Sequence, residues 1–160
     1  MTVGGHSSHE HLAIAHEMEE EGLAFYKAVA RQVADPDAKA LFLKLASDEC
    51  QHIRDIDQLE RESETAYIED PDGLVGQYLR GLIDTNVFPP LDQVPVIAAS
   101  AEGVSKAIDF GIGAEKRAMD FYARTKNECG SVEAAETLSR LYAQEEQHLR
   151  ALNALRRNYP

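Results

Sequence analysis

Glu19, Tyr26, Glu49 and His52 recur, in the same order and at the same intervals, as Glu115, Tyr122, Glu145 and His148, ninety-six positions later. Each set reads Glu-x6-Tyr and then Glu-x2-His, with its two glutamates thirty positions apart. His and Tyr supply only six residues each of the 160, so chance is a poor explanation. Further matches fill the same frame: Phe25 with Phe121, Leu45 with Leu141, Gln51 with Gln147, and Arg54 with Arg150. Carboxylate oxygens and imidazole nitrogens are ligands for divalent cations. Four carboxylates balance the charge of two such ions, and two neutral imidazoles complete the shells. Buried together without a cation, the same groups would be costly, several kcal/mol for each unpaired charge.

Helices must position these residues. Leu12, Ala15, Glu19, Leu23, Tyr26, Val29 and Val33 recur at three- and four-residue steps, predicting a helix from about 9 to 33. Asp35-Pro36 supplies a cap and a first-turn proline, so a second helix starts there. Leu41, Leu45, Glu49, His52, Ile56 and Leu59 mark its inner face, and it should end near Tyr67. Residues 74–86 predict a shorter amphipathic helix, after which Phe88-Pro89-Pro90 and Pro95 break the pattern. A third long helix is expected from about 101 to 126. Cys129-Gly130-Ser131 ends it and caps a fourth that continues to about Arg157. The result is one all-α domain over residues 1–160, with residues 1–8 as a flexible arm and 67–99 as a long crossover. An up-and-down bundle would need only short loops, so that crossover favours two hairpins packed as a four-helix bundle.

Residues i and i+3 of a helix lie about 60° apart, so each Glu-x-x-His presents neighbouring ligands on one face. Residues i and i+7 differ by only about 20°, placing Tyr26 above Glu19 and Tyr122 above Glu115. In an antiparallel hairpin two residues are level when the turn lies midway between them. The midpoint of Glu19 and His52 falls between Asp35 and Pro36, and that of Glu115 and His148 between Ser131 and Val132. Both are predicted turns, so all six ligand-type residues should converge at one depth.

The formal charge of −12 argues against nucleic-acid or anionic-membrane partners. No run approaches the roughly 18 apolar residues of a membrane span, and the first residues lack the pattern of a signal peptide. A cytoplasmic protein is expected. Cys50 and Cys129 form no Cys-x-x-Cys pair and are expected to be thiols without a role.

Met18-Glu19-Glu20-Glu21-Gly22-Leu23-Ala24-Phe25-Tyr26, Asp48-Glu49-Cys50-Gln51-His52 and Gln144-Glu145-Glu146-Gln147-His148 resemble the helix signatures of the ferritin-like superfamily, and within it the rubrerythrin-like proteins. The resemblance covers roughly residues 9–157. It implies a ferritin-like bundle with two iron ions, reacting with O2 or hydrogen peroxide, at Glu19, Glu49, His52, Glu115, Glu145 and His148. It further implies that Glu49 and Glu145 bridge the ions while Glu19 and Glu115 are terminal, and that Tyr26 and Tyr122 hydrogen-bond ligand carboxylates of the opposite half. In the similar bacterioferritins the residue before each bridging glutamate serves the opposite histidine, which directs Asp48 towards His148. Gln144 breaks that symmetry, so the two metal positions should differ in affinity. Ala118 stands where rubrerythrins carry a further carboxylate, and Cys50 where bacterioferritin has its haem-binding Met. No four-cysteine iron domain accompanies the bundle, so an external donor such as a rubredoxin-like protein would supply electrons.

Manganese or zinc also suits six such ligands. The leading expectation is a peroxidase or ferroxidase working as a small oligomer, a homodimer. The alternatives are iron storage or delivery in a hollow oligomer, and dimanganese catalase-like activity. Of the remaining candidates, His16 is read as bland, His6, His9 and His11 as a solvated arm, and Leu23, Phe25, Met119 and Phe121 as core.

Overall fold

The computed structural model describes residues 8–62, 88–127 and 131–160, with side chains from His11 onward. Helix α1 spans Ser8–Gln32 and α2 spans Pro36–Glu62. Asp35 joins them as the predicted cap: its Oδ1 accepts from the Asp37 N–H at 2.9 Å, and its carbonyl from the Lys39 N–H at 2.9 Å. The expected end of the second helix near Tyr67 and the expected helix over 74–86 lie outside the described residues, as does Cys129.

Beyond Phe88 the chain makes a 3-10 turn, Leu91–Gln93, and a single helical turn, α3, Val94–Ile97. Pro95 was expected to break helical structure here. It sits instead in the first turn of α3, where its missing N–H leaves no bond unmade. Helix α4, Ala101–Asn127, starts where the Ser100 hydroxyl accepts from the Gly103 N–H at 3.0 Å. Helix α5, Val132–Arg156, is capped by Ser131 in an extended conformation, its hydroxyl accepting from the Ala134 N–H at 3.3 Å. Among the described residues there is no strand, and no helix is long and apolar enough to cross a membrane.

Helices α1 and α2 pack along each other, as do α4 and α5. The two hairpins meet through α1 against α4 and α2 against α5. The architecture is thus the all-α bundle of two hairpins expected from the repeat. Its buried apolar residues fall into two clusters. One takes Phe25 and Val29 from α1, Phe42 and Leu45 from α2, Ile108 from α4 and Leu152 from α5. The other takes Leu12, Ile56, Phe121 and Leu138 from the same four helices. Between these two dry layers each helix presents the repeated Glu and His positions.

Two readings of single residues change. His11 belongs to α1 and is 1% exposed, because the helix begins at Ser8 and carries His11 onto the same inward face as Leu12 and Ala15. Met119 is only half-buried and belongs to neither cluster, while Leu23 packs against the first from a partly buried position. The last residues are tied back to the bundle. The Ser105 hydroxyl donates to the Pro160 carbonyl at 2.7 Å, Arg156 Nε to Asp109 at 2.8 Å, and the Tyr159 hydroxyl to the Asp35 carboxylate.

Gly103 lets α3 approach α4. A Cβ there would stand 1.5 Å from the Ile97 carbonyl oxygen, a backbone atom that cannot rotate away. Gly113, on the same helix, has nothing within 4 Å of its Cβ position. Gly103→Ala should therefore destabilise the protein by about 1–3 kcal/mol, the range of an overpacked site. Gly113→Ala should stabilise it by about 0.5–1 kcal/mol through helix propensity. Urea-unfolding midpoints of the two variants and the parent protein check both signs.

Candidate metal centre

Six residues from the four long helices meet between the apolar layers: Glu19 from α1, Glu49 and His52 from α2, Glu115 from α4, and Glu145 and His148 from α5. None is more than 4% exposed. Their donor atoms form two groups, each with all ligand atoms within 4.8 Å of one another. One holds Glu19, Glu49, His52 and Glu145; the other holds Glu49, Glu115, Glu145 and His148. Glu49 and Glu145 are common to both.

The atoms show how the sharing works. His52 Nδ1 lies 3.2 Å from Glu19 Oε2, 3.5 Å from Glu49 Oε2 and 3.1 Å from Glu145 Oε1. His148 Nδ1 lies 3.6 Å from Glu115 Oε1, 3.5 Å from Glu49 Oε1 and 3.0 Å from Glu145 Oε2. Each shared glutamate thus turns one oxygen to each imidazole. The rings themselves are nearly parallel, 5.4 Å apart.

The chemistry of this donor set fits metal ions. Both Glu145 oxygens and His148 Nδ1 are buried with no hydrogen-bond partner, although they stand 3.0–3.1 Å from oppositely typed atoms. Atoms that lie close yet fail to point at one another share a focus, as ligands around a cation do. Buried polar atoms left unsatisfied cost about 1–3 kcal/mol each in a fold that needed none of them.

Supporting contacts cross between the hairpins. The Tyr26 hydroxyl donates to Glu115 Oε1 at 2.5 Å, and the Tyr122 hydroxyl donates to Glu19 Oε1. The tyrosine of each half therefore fixes the unshared glutamate of the other. His148 Nε2 meets Asp48 Oδ2 at 3.0 Å, and Lys44 pairs with that same carboxylate oxygen. The counterpart on the other side does not form: His52 Nε2 and Gln144 Oε1 are both buried without a hydrogen bond. His16 stays clear of the cluster, 3.2 Å from Asp57 and 3.6 Å from Glu20. Cys50 is a half-buried free thiol.

Protons offset part of the negative charge gathered at the cluster. Burial, reinforced by Glu49 and Glu145, raises the Glu19 carboxyl well above its ordinary value, and burial with Glu145 does the same to Glu115. Burial opposes charge on the imidazoles but is outweighed by the carboxylates. Glu115, Glu145 and Glu49 push His148 up to about 12, and Glu145, Glu19 and Glu49 raise His52 as well. Against burial, the two imidazoles hold Glu145 below the usual carboxylate range. Burial raises both tyrosines, with Glu115 adding to it at Tyr26 and Glu19 at Tyr122, so their hydroxyls remain donors. Asp48 is held low by Lys44 and His148 despite its partial burial.

Several residues around the cluster carried no recognisable signal in the sequence. Phe88, read only as the start of a break, stacks on Phe25 at 4.5 Å and meets Tyr26 edge-on. Gly111 leaves room for the Tyr26 ring, whose hydroxyl would lie 3.3 Å from a Cβ there. A cavity of about 30 Å3 opens beside the ligands between α1 and α4. Glu19, Glu49, Glu115 and Glu145 reach it from inside, with Tyr26 and Phe88 at one end. Ala118, read in the sequence only for its missing carboxylate, also lines this cavity.

Two solved structures share the fold. A two-domain protein of Anabaena variabilis with DJ-1/ThiJ/PfpI-like and ferritin-like domains matches 97% of this chain at a TM-score of 0.66 and 17% identity. This chain spans 41% of that protein. A DUF305 fragment from Deinococcus radiodurans matches 95% of this chain and 98% of its own length, at a TM-score of 0.68 and 8% identity. No protein of curated function matches the sequence. The Rubrerythrin family profile matches residues 10–156, an extent that takes in all six ligand-type residues and both tyrosines, and the chain belongs to that family.

Proposed function

We propose that the chain binds two metal ions, one in each donor group, and is an oxidoreductase that reduces hydrogen peroxide or O2 with electrons from a separate donor. The observation that carries this reading is the sharing of Glu49 and Glu145 by both groups, with their opposite oxygens turned to opposite imidazoles. Such an arrangement holds two cations side by side, and open positions would serve no purpose in a purely structural site. Family membership favours iron, while the ligand types also accept manganese or zinc.

A bound pair of iron ions would supply the two electrons that, with two protons, convert hydrogen peroxide to two waters. The protein's part is positional. Glu49 and Glu145 would hold both ions, and Glu19 and Glu115 would hold one each. Tyr26 and Tyr122 hold those two carboxylates in one rotamer. Asp48 orients the His148 ring and keeps its Nδ1 free for the metal. The apolar layers exclude bulk water above and below. Only two cysteines stand among these 160 residues, too few for a four-cysteine iron site, so electrons would reach the centre from outside this bundle. The acidic chain favours a donor or carrier that presents positive charge.

Metal analysis by mass spectrometry should find about two ions per chain, as in other dinuclear carboxylate bundles. Glu49→Ala or Glu145→Ala should lose both, whereas Glu19→Ala or Glu115→Ala should retain one. Asp48→Ala should weaken the ion beside His148 by about 10–100-fold, the usual effect of removing a ligand's supporting hydrogen bond. Dispersed or absent metal in the parent protein would end this reading.

The pH dependence has a definite sign. Glu19, Glu115, His52 and His148 all have folded-state values raised above their ordinary ones. Their contribution to stability is complete below the unfolded values, 4.5 for Glu and 6.5 for His, and is lost as pH rises through the folded values. The melting temperature of the chelator-treated protein should therefore fall from pH 5 to pH 8. Metal at about 100 times its dissociation constant should restore about 2.7 kcal/mol at neutral pH. Equal melting temperatures with and without chelator would show that no metal supports the fold.

Turnover separates enzyme from store. Reduced, iron-loaded protein mixed anaerobically with peroxide should be oxidised once and stop, and a rubredoxin-like donor should restart it. Sustained peroxide loss without a donor would replace this reading with catalase-like disproportionation. Fast uptake of repeated Fe(II) additions under air, far beyond two per chain, would replace it with storage.

A further inference from the structure

The cavity between α1 and α4 is lined by five glutamates and one arginine. Four of the glutamates are the buried ligand-type residues, and the fifth, Glu21, is only partly buried. The lining therefore runs as a series of carboxylates from the surface to a floor made by the shared pair, Glu49 and Glu145. Glu145 is 1% exposed, and neither of its oxygens has a hydrogen-bond partner. Buried acceptors with nothing to accept set this opening apart from an ordinary acidic surface. An ion leaving water needs replacement oxygens as it loses its own, and carboxylates at successive depths supply them.

The other approaches are closed to a cation. Apolar clusters lie above and below the ligands. Between α2 and α5, Asp48 is 34% exposed, but its Oδ2 already pairs with Lys44 and with His148 Nε2. The Lys44 ammonium stands across that approach, which leads in any case to Nε2 rather than to Nδ1, the nitrogen that faces the carboxylates. Between α1 and α4, in contrast, Gly22 and Ala118 leave a passage. A Cβ at Gly22 would come 3.6 Å from Glu49 Cδ, so a longer side chain there would lie over that carboxylate. The duplication gives the mouth one charge of each sign, because the position ninety-six residues after Glu21 is Arg117. No ion pair joins these two among the described residues.

We propose that this opening is the route by which divalent cations reach and leave the centre, with Glu21 as a transient ligand at its mouth and Arg117 as an opposing charge that slows their passage. The inference rests on the two-metal reading above. It concerns how fast the site fills and empties, and Glu21 is no ligand once the site is full. A group used only in transit lowers the barrier in both directions, so it changes loading and release by the same factor and leaves affinity alone.

The test mixes the chelator-treated full chain with Co(II) in a stopped-flow instrument. Loading is followed by visible absorption, release by a chase with excess chelator, and equilibrium affinity by titration. Glu21→Gln should slow loading and release alike by about tenfold, the lower end of what a charged cleft contributes to ion capture. It should still bind about two ions per chain with the parent's affinity. Arg117→Gln should speed both steps, and Gly22→Leu should slow both by obstruction. Lys44→Gln, which unblocks the opposite approach, should load no faster than the parent. Glu21→Gln and Arg117→Gln variants that load and release like the parent would overturn the inference. So would a Glu21→Gln variant that loads normally but releases faster, the mark of a ligand in the filled site. Faster loading by Lys44→Gln would move the route to the α2 and α5 side and overturn it as well. A parent protein that takes up no Co(II) would instead overturn the two-metal reading beneath it.

Discussion

Four carboxylates and two imidazoles at one buried level are the constraint on which the rest of this bundle depends. In a low-dielectric interior, like charges at these separations repel strongly, and each ion taken from water costs several kcal/mol. The fold meets that cost in two ways. Opposite donor types alternate around two foci, so that each imidazole faces three carboxylates. Protons or metal ions then supply the missing positive charge. The apolar clusters on either side give the rigidity needed to hold the layer together, and they account for its burial.

The convergence of four glutamates and two histidines was readable because the pattern is repeated. A single Glu-x-x-His is an ordinary surface pattern, and only the second copy with matched hairpin midpoints made convergence at one depth follow. Ser131 and Asp35 were readable as caps because hydroxyl or carboxylate followed by a helical run has a local cause. The division of labour among the glutamates had no such local cause. Whether Glu49 or Glu19 faces both imidazoles depends on how four helices rotate against one another, which spacing within one helix cannot fix.

Other features escaped for related reasons. His11 looked like part of a polar arm because polar residues surround it in sequence, but helical phase carries it inward beside Leu12. Phe88 stands next to two prolines and so reads as a break. Its partner Phe25 is more than sixty positions away, a tertiary contact with no sequence signature. The cavity is invisible in sequence because it is defined by what Gly22 and Ala118 leave out, and small residues in a helix are too common to signal a space.

The tyrosines have a consequence for how the molecule is assembled. Tyr26 reaches Glu115 and Tyr122 reaches Glu19, so each hairpin carries a clamp whose object belongs to the other. One hairpin alone is an unfinished module, with a hydroxyl that has no carboxylate to hold and a carboxylate that nothing holds. Two copies placed around a dyad would satisfy each other completely. The reciprocal exchange is what self-association of a half-length ancestor would require, and fusion of the two copies would preserve it inside a single chain. Within a single chain the halves need not be identical, and Asp48 against Gln144, or Glu21 against Arg117, differ across the axis that relates them.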